Sequence, residues 1–467
     1  MVLGDIFRFL GVSVAGKIVP AAAIFLFSRM MPAADFGVLS LFLSYIWIAA
    51  TLMSLNIYTG VGRVIFDPEV EPQSLIGTSL LMIGGIYGLV WMALLVTWYP
   101  LAQLLNLPAA ALLLMPVVVA GYVSESFITQ ILIFQKKSGV LLLMTGLRAL
   151  ATVTVAAVLV SRFPDQKYMG VIIAESISAI GFLAAVGFVL RRHVAFRFNR
   201  SYAVRLMQYS LPLIIYVISL TLLSQSDRIM IDRFFGKTET GLYSLAYNFA
   251  SLMLIGVTAV LNAFQPSFFG AMNTHDIGNV LSQGRTTITL ALAAAMALTL
   301  LGEPIATWMF PSQYSDAFDI IPIVAIGCLG LASFQIWVRI LAFHNRTELI
   351  SLVAIVAVGV NITLNFWALG LFGYKAAAYT TLAAQYLMAL MCLASLWRLR
   401  YLHSLQPTID LISVTMVCFL ALLLPMATSN PALNLTLRLS VAVPLLAMLV
   451  RFIWPRLMNM AQIERPS

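Results

Sequence analysis

Long apolar stretches fill almost the whole chain, separated at short intervals by clusters of charged residues, proline and glycine. A helix needs about 20 apolar residues to cross a hydrocarbon layer about 30 Å thick. Reading each apolar run between its breaks predicts fourteen spanning helices, near 6–30, 36–58, 76–98, 109–134, 138–161, 168–190, 210–233, 240–265, 286–309, 320–343, 347–368, 373–396, 408–427 and 434–453. The alternating segments of about ten residues that mark a membrane barrel are absent. The longest breaks, 59–75, 191–209 and 266–285, are too short to hold an extramembrane domain. The expected fold class is an all-α polytopic membrane protein.

Composition removes the alternatives. Hydrophobic residues make up 61% of the 467 and charged residues 10%, with a mean hydropathy of +0.97. A soluble domain carries about 25% charge, so this chain cannot cover a globular surface with polar groups. Its wealth of large apolar side chains likewise excludes disorder. A net charge of +9 would raise nucleic acid as a partner of a soluble protein. Here the basic residues cluster on alternate breaks instead, as at Lys136-Lys137, Arg191-Arg192, Arg197 to Arg205 and Arg398 to Arg400. Placing those breaks in the cytoplasm satisfies the positive-inside rule and puts both termini there. No nucleic-acid partner is implied. The cysteines (Cys328, Cys392, Cys418) lie in apolar runs, and no histidine has a second ligand at metal-binding spacing. No disulfide, metal or cofactor is expected. The first run carries Lys17 and lacks a small-residue cleavage site, so it reads as a retained span and not as a signal peptide.

An internal repeat organises the spans. FSRMMPAADFGVLSL (27–41) aligns with IDRFFGKTETGLYSL (231–245) at an offset of 204, pairing Arg29 with Arg233, Gly37 with Gly241 and Ser40 with Ser244. ILIFQKK (131–137) aligns with ILAFHNR (340–346) at an offset of 209, the small change a loop insertion produces. The expected division is a six-helix lobe over 1–190, a basic connector at 191–209 and a second six-helix lobe over 210–400. Two appended helices and a tail follow over 401–467. Six spans return the chain to the same face, so the lobes are parallel repeats around a central cavity, and alternating access is the expected mechanism. The connector interleaves arginines with Phe196, Phe198 and Tyr202. It reads as an interfacial strap or as a contact for anionic lipid headgroups.

Chemistry must come from ionisable groups inside the spans, where charge is costly. Lys17 and Arg148 lie near the middle of the first and fifth spans. At about 1.5 Å per residue, roughly 18 Å of helix separates Lys17 from either end, beyond the reach of its side chain. Exposure to lipid would cost about 2.5–3.5 kcal/mol each. Two readings follow: internal ion pairs with Glu125 and Glu175, or cations lining the cavity to attract an anionic substrate. The seventh span carries a polar stripe of Gln225, Arg228 and Asp232 beside Asp227. Arg228 and Asp232, four residues apart, are placed to pair along the helix, either statically or as a proton relay. Arg29 and Arg233 end equivalent spans and flank a cavity mouth or anchor the interface. Arg339, near the cytoplasmic boundary, is expected to snorkel.

Catalytic patterns are missing. Gly236-Lys237-Thr238 imitates the end of a phosphate-binding loop, but Ile231 stands where the first glycine is required. There is no Gly-x-Ser-x-Gly, and an enzyme is not expected.

YSLPLIIYVISLTLLSQSDRIMIDRFFGKTETGLYSLAYNF (209–249) resembles the polysaccharide and O-antigen-type flippases of the multidrug/oligosaccharidyl-lipid/polysaccharide exporter superfamily. The marks are Ser210-Leu211-Pro212, Asp227-Arg228, the Phe235-Gly236 break and Gly241-x-Tyr243, with Phe36-Gly37 as the first-half counterpart. The resemblance extends over roughly residues 1–400. It implies movement of an undecaprenyl-diphosphate-linked oligosaccharide from the cytoplasmic to the periplasmic leaflet of a bacterial inner membrane. The product would serve O-antigen or exopolysaccharide synthesis, with polysaccharide polymerase machinery as a further partner. It also implies a cationic cavity, for which Lys17 and Arg148 are the first candidates and Arg29, Arg228 and Arg233 the next. Glu125, Glu175, Asp227 and Asp232 would then couple an ion or pair structurally. Peptidoglycan-precursor flippases share the span number, but the chain lacks a clear copy of their arginine set. A cation-coupled multidrug exporter is the main alternative, opposed by a first span that carries Lys17 and no acid. A membrane-embedded glycan polymerase or ligase is opposed by the short outer loops.

Overall fold

The computed structural model describes residues 19, 22–135, 137–402, 406–423, 436 and 438–440. Every regular element among them is helical. Eleven segments are long and apolar enough to cross a membrane: Ala33–Ser54, Pro72–Leu104, Ala109–Phe134, Gly139–Val160, Lys167–Leu190, Arg200–Phe234, Lys237–Asn273, Ile277–Met309, Ser312–Phe343, Thr347–Phe372 and Ala376–Arg398. They correspond one for one to the second through twelfth predicted spans. Of the first span, 22–30 is described and helical, and Gln406–Leu423 supplies the described part of the thirteenth. The fourteenth falls almost wholly outside the described residues, and so does Lys17. The chain is a multi-pass helical membrane protein.

The breaks are shorter than hydropathy predicts. Asn199 caps the helix Arg200–Phe234 by accepting from the backbone N–H groups of Ser201 and Tyr202, so that helix begins inside the expected connector. Asp276 caps Ile277–Met309 through the N–H of Asn279 at 3.0 Å. Hydropathy marks where lipid ends, whereas backbone hydrogen bonding continues until a capping side chain closes it. The expected break at 59–75 contains a further helix, Ile57–Val64. Two consecutive left-handed residues, Leu55 (φ 44°) and Asn56 (φ 55°), stop Ala33–Ser54 and restart the chain.

Residues 30–241 form one compact unit, and residues from Leu242 onward form another with the described residues before Met30. In the first unit, 138–160 and 109–134 pack on 167–190, while 200–234 packs on 33–54 and 57–64. Polar contacts specify that last choice: Ser44 donates to Gln225 at 2.9 Å, and the Thr51 and Thr221 hydroxyls lie 3.4 Å apart. Between helices that lipid solvates as well as protein does, such small-residue and hydrogen-bonding contacts select the partner. In the second unit the 321–343 helix is central, packed by 277–309, 376–398, 253–273 and 406–423.

Within the first unit the repeat has a direct geometric signature. Gly37 and Gly241 lie backbone to backbone: a Cβ on Gly37 would fall 1.8 Å from the Lys237 carbonyl oxygen, and one on Gly241 would fall 1.9 Å from that of Ala33. Ala33 and Lys237 are themselves equivalent at the offset of 204. The contact is thus reciprocal, each helix start seating the glycine of its equivalent.

Candidate functional site: the intramembrane charges

Arg148, on the helix Ser138–Val160, is buried at 8% exposure. One guanidinium nitrogen donates to Glu125 and to the Gly121 carbonyl (3.0 Å), both on 109–134. The other lies 3.9 Å from Glu175 on 167–190. Tyr122 and Phe182 face the guanidinium carbon with ring centroids 4.8 and 5.1 Å away. One turn on, Thr152 donates to Ser178 at 2.7 Å. Arg148 therefore joins three helices of one unit. A ligand reaching it would have to displace carboxylates.

The polar stripe on 200–234 is also engaged. Arg228 is buried and donates to the Ser224 carbonyl (2.6 Å) and to Gln225 Oε1 (3.2 Å). Asp227 beside it is buried as well. Asp232 pairs with Lys237 at 2.7 Å and accepts from Asn106 Nδ2 at 2.8 Å. Lys237 also donates to the Asn106 carbonyl. The lysine of the phosphate-loop imitation is thus a clamp between helix ends. At the same end of the unit, Asp35 accepts from the backbone N–H of Lys167 at 2.7 Å, and Lys167 Nζ donates to the Met30 carbonyl at 2.9 Å. Arg233 is exposed.

In the second unit Arg29 is exposed, lies over Phe25 and donates to the Met309 carbonyl at 3.0 Å. Arg339, half-buried near the end of the helix Ile321–Phe343, donates to the Leu261 carbonyl at 2.6 Å. A charge near a helix end takes protein acceptors when a neighbouring helix offers one within reach. Arg438 is buried and pairs with Glu303 at 3.0 Å. Lys375, between two spans, meets Asp319 (3.0 Å) and Asp316 (3.3 Å). Burial disfavours its ammonium, but these two carboxylates hold its pKa above the ordinary lysine value.

A neutral cluster escaped the sequence reading. Asn361 and Asn365 on 347–372 are fully buried. Asn361 donates to Thr381 Oγ1 (3.0 Å) and Asn365 to Asn361 Oδ1 (3.4 Å), while Thr380 donates to Asn365 Oδ1. Its signal in the sequence is two asparagines four residues apart in an apolar run. Asn361→Leu should remove both of its bonds and cost about 1–2 kcal/mol, read as a lower melting temperature of the purified protein. Among the described residues, no group of three or more His, Cys, Asp or Glu side chains is placed to hold a metal ion.

Comparison with known proteins follows the same outline. The sequence profile described as "Polysaccharide biosynthesis protein" matches residues 2–272, more than half of the chain, and the MatE profile matches residues 212–367. The succinoglycan biosynthesis transport protein ExoT of Rhizobium meliloti is 26% identical over 49% of this chain and 47% of its own length. The matched stretch thus spans about half of that relative. Among solved structures, lipid II flippase MurJ in an inward closed conformation superposes with a TM-score of 0.68 at 14% identity, covering 97% of this chain and 100% of that one. An inward-facing multidrug resistance MATE family transporter of the MOP superfamily gives 0.67 at 11% identity, over 86% and 99%. At these identities the likeness is one of fold.

Proposed function

The chain belongs to the polysaccharide biosynthesis protein family, and on that premise we propose that it translocates a lipid-diphosphate-linked oligosaccharide across a bacterial cytoplasmic membrane. The direction is from the cytoplasmic to the periplasmic leaflet by alternating access, with both termini cytoplasmic, and polymerisation of the unit on the far side draws the flux. The observation that carries the reading is cationic charge held inside apolar helices, above all Arg339. Its guanidinium donates to a backbone carbonyl, and no carboxylate among the described residues pairs with it, which leaves its positive charge available to an anion. A guanidinium in a low-dielectric site offers a diphosphate paired, charge-assisted hydrogen bonds. Arg228 and, from the sequence, Lys17 are further cations within spans. Arg29 and Arg233 are both exposed. Arg148, held by Glu125 and Glu175, is assigned to holding its unit together.

Loss of the gene should strand lipid-linked units in the inner leaflet, shielded from a periplasmic probe. Units that reach the outer leaflet normally and merely fail to polymerise would refute the proposal. Arg339→Gln should lower translocation by about tenfold or more, the worth of one charge-assisted hydrogen bond, at unchanged abundance. Arg339→Lys should recover part of the rate. A second reading, a cation-coupled multidrug exporter, is favoured by the MatE match over 212–367. It requires a cavity that attracts cations, and efflux of cationic dyes from cells carrying the gene would support it.

A further inference from the structure

A cavity of about 640 Å³ lies within the first unit between the helices Pro72–Leu104, Ala109–Phe134 and Lys167–Leu190, bounded at one end by Arg191, Val194 and Phe196. That volume is in the range of about 300–1,000 Å³ typical of ligand sites. Its walls are aliphatic and aromatic, as at Ile83, Val123 and Phe127, and its only charged side chain is Arg191. Gly84, Gly88 and Gly187 line it, and a Cβ on any of them would meet nothing within 4 Å. The helix forming its outer wall turns Leu89, Met92 and Val96 outward, exposed. In a membrane-spanning chain such a surface faces lipid tails.

The charged end is built and not incidental. The connector is strapped across the start of 72–104: Ala195 N–H donates to the Gln73 carbonyl at 3.1 Å, the Asn199 N–H donates to Thr78 Oγ1 at 3.1 Å, and that hydroxyl donates to the Arg197 carbonyl at 3.1 Å. Gly77 permits the approach, since a Cβ there would fall 1.8 Å from the Ala195 carbonyl oxygen. Arg191 stands where the span 167–190 ends, just before the strap in the chain, its guanidinium 3.9 Å above the Phe188 ring. Arg192 and Arg197 are exposed beside it in the chain.

An apolar body with a cation at the membrane boundary matches one class of molecule. We infer that this cavity is a binding site for an anionic phospholipid, one acyl chain lying along Gly84, Gly88 and Gly187 and the phosphate on Arg191. The site is not that of the transported substrate. Ser124 is the one polar but uncharged side chain of the lining other than the Tyr87 hydroxyl, and that hydroxyl is turned to the Pro116 carbonyl. An oligosaccharide headgroup would find no wall of hydrogen-bonding partners.

The test is native mass spectrometry of the full chain, purified in detergent and exchanged with phosphatidylglycerol or phosphatidylethanolamine. The wild type should hold phosphatidylglycerol in preference. Arg191→Gln, which removes the charge-assisted contact, should lower its retention about tenfold. Gly84→Leu should fill the cavity and do the same, while Gly85→Leu, its neighbour with equally open space outside the lining, should leave retention unchanged. Should Gly84→Leu fail to yield a monodisperse protein, Gly187→Leu and its control Gly181→Leu, also in open space, give the same comparison. Equal retention of both lipids, retention unaffected by the filling variants, or recovery of an isoprenoid phosphate in place of the phospholipid would each overturn the inference.

Discussion

Arg148→Ala is expected to remove most of the protein from the membrane, and transport should fall in step with abundance. The substitution leaves Glu125 and Glu175 facing the same apolar space with no cation between them. Breaking a buried ion pair by deleting one partner costs about 3–5 kcal/mol, a large share of a typical stability of about 5–15 kcal/mol. The Glu125 side chain is 35% exposed, which places the loss toward the lower figure. Neutralising all three groups separates a structural from a transport role. Arg148→Met combined with Glu125→Gln and Glu175→Gln removes the charges together, and such replacement is often neutral or stabilising. Membrane abundance and gel-filtration profile should both recover, and transport with them. Normal abundance of the Arg148→Ala protein with transport abolished would instead mean that Arg148 meets the substrate.

The spans were legible because lipid imposes a strong and simple demand: a helix of sufficient apolar length with its backbone satisfied internally. The same demand made Arg148, Glu125 and Glu175 stand out, since a mid-span charge requires an opposite one, and these three do meet. Partner choice was not legible. Hydropathy scores transfer out of water and is nearly blind to whether an apolar face meets lipid or another helix. That 200–234 meets 33–54 through Ser44–Gln225 and Thr51–Thr221 is therefore visible only in the structure. The acceptor of Arg339 is hidden for the same reason, since Leu261 belongs to another helix. The clamp of Lys237 on Asp232 and Asn106 depends on a turn that no local pattern announces.

Gly37→Ala and Gly241→Ala are each expected to destabilise the protein and abolish transport, and the double substitution should be little worse than either alone. Each added methyl would stand less than 2 Å from a carbonyl oxygen, 1.8 Å from that of Lys237 and 1.9 Å from that of Ala33. No rotamer change relieves a clash with backbone, so the two helix starts must separate by about 1 Å or more, and overpacking of this kind costs about 1–3 kcal/mol. The geometry is reciprocal, so one alanine already forces the separation that the other would need. The coupling energy in a double-mutant cycle should then cancel most of the second penalty, measured as melting temperature and as transport rate. Gly256→Ala is the control: it lies in a helix with open space at its Cβ position, where alanine gains about 1 kcal/mol of helix propensity over glycine, and it should be neutral or stabilising. Fully additive losses at 37 and 241 would show that the two glycines are accommodated independently, and the equivalence of the two helix starts would then be a likeness of sequence without a shared contact.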